Sequence, residues 1–401
     1  MPEPLLSIAD ARSIVLDHVS PLDSEVVPIA TALDRVLASD IVTAQDVPAF
    51  ACSAMDGFAI HAGPAGRRLT VVGESRAGAP SNRKLGAGEA IRISTGAAVP
   101  AGADAVLMQE DVENADDGEI ALGAETAPGD NVRYAGEDMP AGETVLRAGA
   151  TLGVPELGVA VAAGAGKLTV ARRPRVAIIS TGDELRAPGE PLGPGEIHNS
   201  NAVTLAALAT RCGAVTTVVT RVGDDRDATE ETLARALEDA DVVVISGGVS
   251  VGPHDHVKPA LEALGVEQRF WRVALQPGKP TWFGTRNRKL AFGLPGNPVS
   301  TVVTFTLFVR PALAALQGAT AERGPRATAE LGVDVPRNRN RDQAVRVRLE
   351  RDDGLARAFP TGPQGSHIIT SLLKADALAV VPMGEGMLPA GTTVTLETIP
   401  R

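Results

Sequence analysis

The chain reads as a multidomain α/β plus β protein, with a central doubly wound, mostly parallel α/β domain between β-rich regions. Three observations predict this. Strand-length aliphatic runs alternate with helix-periodic segments between about Pro174 and Gln317, the pattern of a parallel sheet covered by helices on both faces. Hydrophobic residues make up 44% of the chain and aromatics only 3%, an aliphatic bias suited to strands buried on both sides. Flanking that region, short valine-containing runs are punctuated by glycine and proline, as in β-rich domains. At roughly 150 residues per domain, a 401-residue chain has room for two to four.

Taken in order, Leu5 to about His18 carries apolar residues at helical spacing and predicts a helix. From Ala44 to about Ala141, LTVVGES, AIRIS and ADAVLMQED read as strands separated by turns. The stretch VAVAAGAGKLTVARRP reads as a connector with a strand. After Pro174, RVAIIS is a strand and NAVTLAALATRCG a helix closed by Gly213. The strand AVTTVVTRV precedes a helix beginning near Asp227, which with Glu230 has capping-box spacing. DVVVIS, a glycine-rich loop, the helix HVKPALEALG, a β-ribbon from Gln268 to Thr285 and the strand KLAFG follow. A long helix then opens at Asn297-Pro298, asparagine at the N-cap and proline in the first turn. Beyond an arginine-rich linker or first strand, AVRVRLE, LAVVP and TVTLETIP predict a small β domain.

Charge and cysteine usage narrow the function classes. A formal charge of −11 argues against duplex nucleic acid, which needs a basic surface to displace counterions. It leaves room for a small anionic ligand held by local cations, backbone N–H groups or a metal. Cys52 and Cys212 form no CxxC pair, so a reducing cytoplasm and no structural zinc are expected. The N-terminus lacks a signal-peptide pattern. The apolar stretch Val299–Val309 is too short to span a bilayer and reads as a core helix. Neither nucleic acid nor membrane is expected as a partner.

Ligands of open α/β sheets bind beyond the carboxyl ends of the strands. Three loops leave that edge: Thr181-Gly182-Asp183-Glu184-Leu185, Gly247-Gly248-Val249-Ser250-Val251-Gly252 running to Asp255, and Leu294-Pro295-Gly296-Asn297-Pro298-Val299-Ser300. Gly247 and Gly248 would let backbone N–H groups approach a phosphate. Carboxylates at Asp183, Glu184 and Asp255 would repel it unless a divalent cation lay between, and magnesium favours that arrangement. Asn297 heads a helix whose positive end would face the same cleft. Each loop alone is an ordinary strand-to-helix turn. Their convergence on one edge is what predicts a ligand site. By spacing alone, Asp56 and Thr95 in the β-rich region are turn residues.

These segments resemble, in order and over nearly the whole chain, the molybdopterin molybdenumtransferase family, including the corresponding domain of gephyrin. The resemblance rests on SAMDGFA, STGAAVPAGADAV, GEDMPAGE, RPRVAIISTGDEL, SGGVSVGPHD, QPGKP, LPGNPVS and QGSHIITSL. It implies an elongated subunit: a connector domain from residues 25–45 and 142–172, an inserted β-rich domain at 46–141, a molybdopterin-binding α/β domain from 1–24 and 173–320, and a C-terminal β domain at 321–401. It implies a cytoplasmic homodimer whose active clefts are shared between subunits. The implied reaction is insertion of molybdate into adenylylated molybdopterin, with magnesium-dependent release of AMP.

By match to the family motifs, Asp56, Thr95, Asp138, Glu184, Asp224 and Asp255 are expected around nucleotide, metal and attacking water, with Glu184 and Asp255 on the Mg2+. Gly247, Gly248, Ser250, Lys279, Pro295, Asn297, Pro298, Ser300, Arg346 and Ser366 are expected to bind the pterin and the oxyanion, the last pocket formed by Ser300, Arg346 and Ser366. Implied protein partners are the molybdopterin adenylyltransferase and molybdoenzyme maturation proteins. Many members carry lysine where this chain has Gln276 and Arg272, so Lys279 or Arg272 would have to supply the missing charge. Cys52 replaces a residue that is often polar and reads as a buried structural thiol. The alternatives are a molybdopterin adenylyltransferase, which shares the α/β domain but normally stands alone, a nucleotide-binding pyrophosphatase built on the same domain, and a non-catalytic gephyrin-like scaffold, which could lose the carboxylates retained here.

Overall fold

The computed structural model describes residues 5–113, 118–249, 255–320, 327–352 and 355–400. At its centre is a six-stranded sheet in the spatial order Val215–Val222, Arg175–Thr181, Val242–Ser246, Lys289–Leu294, Trp282–Arg286, Glu267–Trp271. The first four strands run parallel, Trp282–Arg286 runs against them and Glu267–Trp271 pairs antiparallel to it, so the expected ribbon forms the sheet's far edge. Alternation along each strand explains why the runs are continuously apolar. Val176, Ile178, Val242 and Val244 enter one core layer, and Ala177, Ile179, Val243 and Ile245 enter the other. Each fully buried Val or Ile contributes about 1.5–3 kcal/mol relative to exposure.

Helices α1 (Ile8–Asp17) and α3 (Ser200–Arg211) and the helix Pro298–Leu316 cover the first layer. Helices α4 (Arg226–Asp239) and α5 (Val257–Ala263) cover the second. Helix Pro298–Leu316 spans 19 residues and is apolar enough to cross a bilayer, but 83% of its apolar window is buried inside the protein. It is a core helix, with a π-helical turn at Phe305–Val309.

Two capping expectations are corrected. Helix α4 is capped by Asp225, whose Oδ1 accepts from Ala228 N at 2.7 Å; Asp227 lies inside the first turn. Asn297 occupies the N-cap, but its side chain makes no capping bond. There Thr301 Oγ1 donates to the carbonyls of Pro295 (2.7 Å) and Asn297 (3.0 Å) and ties down the turn.

Before the sheet, strand Ser24–Pro28 pairs with Lys167–Ala171, and Ile41–Val42 with Thr144–Leu146. The stretch expected as a connector with a strand also contains a helix, α2 (Val154–Ala162). Pro155 opens it, Glu156 Oε2 accepts from Gly153 N at 3.0 Å, and Gly164 follows its end at φ 96°. Between the paired segments lies a second six-stranded sheet, in the order Ala105–Met108, Gly57–Ile60, Glu89–Ile93, Arg68–Ser75, Glu119–Leu122, Val112–Glu113. After the α/β region, strands Asp342–Asp352, Leu355–Pro360, Thr328–Leu331, Thr393–Thr398 and Ala377–Val381 close on themselves through pairing of the first with the last. Leu275–Gln276 adds to this sheet beside Asp342–Gln343. A buried charge triad ties the same regions together: Glu397 is bound by Arg12 NH1 at 3.0 Å and Arg310 NH2 at 2.7 Å.

Candidate functional site

The carboxyl ends of strands Arg175–Thr181, Val242–Ser246 and Lys289–Leu294 open into a cleft of about 780 Å³. Glu184, Asp224, Asp255, Gly247, Gly248, Pro295, Asn297 and Pro298 all line it. Glu184 and Asp224 are exposed, whereas the Asp255 side chain is only 8% accessible. The carboxylate loops are braced against each other: Asp183 Oδ1 accepts from Asp224 N at 3.2 Å. Arg186 NH1 donates to the carbonyls of Asp183 and Leu185, both at 2.8 Å, and the same guanidinium pairs with Glu196. Glu184 is thus presented by a fixed turn.

Gly247 and Gly248 sit at φ 90° and 63°, conformations disfavoured for residues with a Cβ. A Cβ on Gly247 would lie 2.8 Å from Thr181 Oγ1, and one on Gly248 would lie 2.6 Å from Val257 Cγ2. Their absent side chains are therefore required by packing against the neighbouring loop and α5. The Gly247 N–H donates to Leu294 O at 3.1 Å, so it is not aimed at a ligand. That corrects one expectation for this loop. Ser250 lies outside the described residues.

Sequence reasoning missed the contribution of α3. Asn199 caps it, accepting from Ala202 N at 3.1 Å, and Asn199, Ser200 and Asn201 line the cleft. The positive end of this 12-residue helix therefore opens on the site. Asn201 Nδ2 bridges Ser246 Oγ (2.8 Å) and Gly296 O (2.7 Å), locking the second and third loops to the helix. The available signal was the His-Asn-Ser-Asn run before an apolar periodic segment, an N-cap signature. On the cleft wall, the buried Ser180 Oγ makes no hydrogen bond among the described residues.

Beside Asp255, Lys258 Nζ lies 3.9 Å from its Oδ2 and 3.8 Å from the centroid of Trp271. The Arg272 guanidinium carbon lies 3.9 Å from the same ring. Burial pushes the Lys258 ammonium below its usual pKa; Asp255 opposes this and Arg272 adds to it. The Trp271 indole donates to Val249 O at 3.2 Å, fixing the glycine loop.

Other expected site residues lie elsewhere. Asp56 and Thr95 come together, Thr95 N donating to Asp56 Oδ1 at 2.7 Å, but on the sheet containing Gly57–Ile60 and outside the cleft. Asp138 lines a separate hollow of about 440 Å³ with Cys52 and Arg133; Cys52 is buried, as expected. Lys279 is exposed and does not line the cleft, although Pro280 does. Ser300 is 3% accessible, and its carbonyl accepts from Thr304 Oγ1 at 2.8 Å. Ser366 does not line the cleft but touches a residue that does, its Oγ accepting from Asn297 Nδ2 at 3.1 Å.

Arg346 departs furthest from expectation. It is fully enclosed, its Nε donating to Ser371 Oγ (2.9 Å) and its NH2 to the carbonyls of Pro363 (3.3 Å) and Gly365 (3.2 Å). Burial pulls its pKa down, and among the described residues no carboxylate offsets this and NH1 makes no hydrogen bond. A cation expected to face an oxyanion lies instead beneath the loop that carries Ser366. Gln276 Oε1 accepts from Asn338 Nδ2 at 2.6 Å, a bond a lysine could not make.

Among the described residues, no group of three or more His, Cys, Asp or Glu side chains is placed to hold a metal ion. Glu184, Asp224 and Asp255 share the cleft without forming a ready-made cage. This donor set fits magnesium, which keeps several waters and takes one or two carboxylates together with substrate phosphates.

A glycine-rich loop, a helix N-terminus and carboxylates at the carboxyl edge of a parallel sheet define a doubly wound α/β protein with a cleft where such folds bind small molecules. Comparison with known proteins specifies the family. Residues 6–164 match the MoeA N-terminal region (domains I and II), residues 177–315 a probable molybdopterin binding domain, and residues 328–399 the MoeA C-terminal region (domain IV). The chain is 35% identical to the molybdopterin molybdenumtransferase of Haemophilus influenzae over 98% of each chain. It is likewise 35% identical to that of Bacillus subtilis, over 94% of this chain and 90% of the relative. The crystal structure of the molybdopterin biosynthesis protein MoeA from Pyrococcus horikoshii superposes with a TM-score of 0.83 at 32% identity, covering 98% of this chain and all of that one. The chain belongs to the molybdopterin molybdenumtransferase family, transferases of molybdenum cofactor biosynthesis.

Proposed function

We propose that this chain inserts molybdate into adenylylated molybdopterin and releases AMP, with the chemistry in the cleft lined by Glu184, Asp224 and Asp255. The observation that carries the reading is their convergence with the α3 N-terminus at the carboxyl edge of the sheet. An anionic pyrophosphate suits the helix end, while the carboxylates require a cation beside it. Glu184 and Asp255 would hold Mg2+, which when bound supplies charge neutralisation of the pyrophosphate and of the departing phosphate. Asn201 keeps the loops at the bottom of the cleft in register, and Pro295, Asn297 and Pro298 shape its wall. Ser366, held by Asn297, and Arg346 behind it supply the hydroxyl and positive field suited to the tetrahedral oxyanion substrate.

The exposed Asp56–Thr95 pair and Asp138 lie outside this cleft. We assign them to the cleft of a second subunit in a cytoplasmic homodimer, each site built from two chains. The adenylyltransferase reading is disfavoured because the match extends through the N-terminal and C-terminal regions. The scaffold reading is disfavoured because the cleft keeps its carboxylates. The test is AMP release from adenylylated molybdopterin by Glu184→Ala and Asp255→Ala. Both should be sharply impaired with unchanged circular dichroism; near-normal turnover in both would reject the site.

A further inference from the structure

A second cavity, of about 500 Å³, opens at the opposite edge of the central sheet. Arg173 on its wall precedes the strand Arg175–Thr181, whose far end reaches the catalytic cleft. Seven residues of strand separate the two sites by about 20 Å. The wall is drawn from three parts of the molecule: Asp34 from the segment before the inserted sheet, Arg173, Arg211 and Arg310 from the α/β region, and Pro400 from the C-terminus.

The charge at this cavity runs against that of the chain. Three guanidiniums line it, and among the described residues Asp34 is the one carboxylate on the wall, in a protein of formal charge −11. Arg310 is held in orientation by Glu397 Oε2 (2.7 Å) and Thr398 O (2.8 Å), and Glu397 is already shared with Arg12. Arg173 is steered by one bond, NH1 to Gly213 O at 3.2 Å. Arg211 closes the last turn of α3, is exposed, and makes no ion pair among the described residues. Arg310 anchors the C-terminal strand, whereas among the described residues no ion pair holds Arg173 or Arg211. Val36, Ala314 and Ala319 give the cavity an apolar side.

We infer that this three-way junction is a binding site for a compact dianion of the phosphate-monoester class, separate from the catalytic cleft. The guanidiniums would take the phosphate oxygens through paired N–H donors, and the apolar side would take the attached carbon body. An occupant would link the three segments and stiffen their packing, so binding would raise the thermal midpoint.

The test is calorimetry and thermal unfolding of the full-length chain with phenyl phosphate, and with inorganic phosphate to probe the anion alone. Phenyl phosphate should bind saturably, raise the midpoint and outcompete inorganic phosphate. The Arg173→Gln/Arg211→Gln double variant should bind at least about tenfold more weakly, as expected for losing charge-assisted donors, and lose the midpoint shift. Arg211→Glu alone, at an exposed helix end, should do the same if the double variant fails to fold. Absence of saturable binding to the parent chain overturns the inference. So does unchanged binding in folded Arg173/Arg211 variants, which would place the phosphate in the catalytic cleft or on the surface.

Discussion

Replacing Arg346 by methionine and by alanine separates the support this residue gives to its loop from its effect on the oxyanion substrate. The guanidinium is fully buried and spends its hydrogen bonds on Ser371 Oγ and the carbonyls of Pro363 and Gly365. Removing it leaves the two carbonyls without that donor, at about 0.5–1.5 kcal/mol each, since Pro363 is exposed and Gly365 half-buried. Ser371 Oγ still donates to Ile368 O at 2.6 Å and loses less. Against this stands the relief of an uncompensated buried cation, an effect of several kcal/mol. Methionine fills most of the stem volume and the relieved cation offsets the lost bonds, so Arg346→Met should change stability by less than about 2 kcal/mol. Alanine adds a cavity, and its total should reach about 3–5 kcal/mol. Urea denaturation measures both. In the folded Met variant, calorimetry should show molybdate affinity falling about tenfold more than affinity for adenylylated pterin, a differential of about 1.4 kcal/mol. Equal loss of the two affinities, or molybdate uptake within about twofold of the parent, would refute a link from Arg346 through Ser366 to the oxyanion.

Three further outcomes follow from the geometry. Glu397→Ala leaves Arg12 and Arg310 without the carboxylate they share and should lower stability by about 3–5 kcal/mol in denaturant titration; a loss under 1 kcal/mol would mean the triad contributes little. Partial burial by itself would raise the Asp241 pKa, but Arg172, with bonds of 2.9 and 3.0 Å, and the Arg175 N–H hold it below the usual value of 3.8. This stabilisation is therefore complete above that value and is lost as pH falls below it through the depressed folded pKa. Asp241→Asn should flatten the acid limb of the stability–pH curve, and an identical limb in parent and variant would contradict the assignment. Finally, Asp56→Ala and Glu184→Ala, each inactive alone, should complement when subunits are exchanged at equal ratio. About half the dimers would be hybrids with one intact cleft, so roughly a quarter of all clefts should be active. No recovery despite verified exchange would place both residues in one chain's site.

What the sequence made legible followed from local rules. RVAIIS, DVVVIS and KLAFG are strands because their apolar side chains enter one core layer or the other, and the loops leaving them meet as parallel topology requires. Helix α2 was obscured because its valines and alanines fit a strand as readily as a helix; the informative residues were Pro155 and Glu156 after Gly153. Asn199 and Asn201 were passed over because a cap and a bridging amide carry no charge to attract attention, yet Asn199 caps α3 and Asn201 ties two loops to it. Arg346 alternates with apolar neighbours in AVRVRLE and looks like an outward strand position. Only closure of the C-terminal barrel beneath the 363–371 loop encloses it. The roles of Gly247 and Gly248 likewise depended on how closely Thr181 and α5 approach, which no spacing reveals.

The central claim is that this cleft couples molybdate insertion to loss of AMP. It is tested most directly by incubating the purified chain with adenylylated molybdopterin and magnesium, with and without molybdate, while measuring AMP and cofactor able to reconstitute a molybdoenzyme. AMP and active cofactor should appear together, at matching amounts, only when molybdate and magnesium are both present. AMP formed without active cofactor, or active cofactor formed while the adenylylated substrate stays intact, would contradict it.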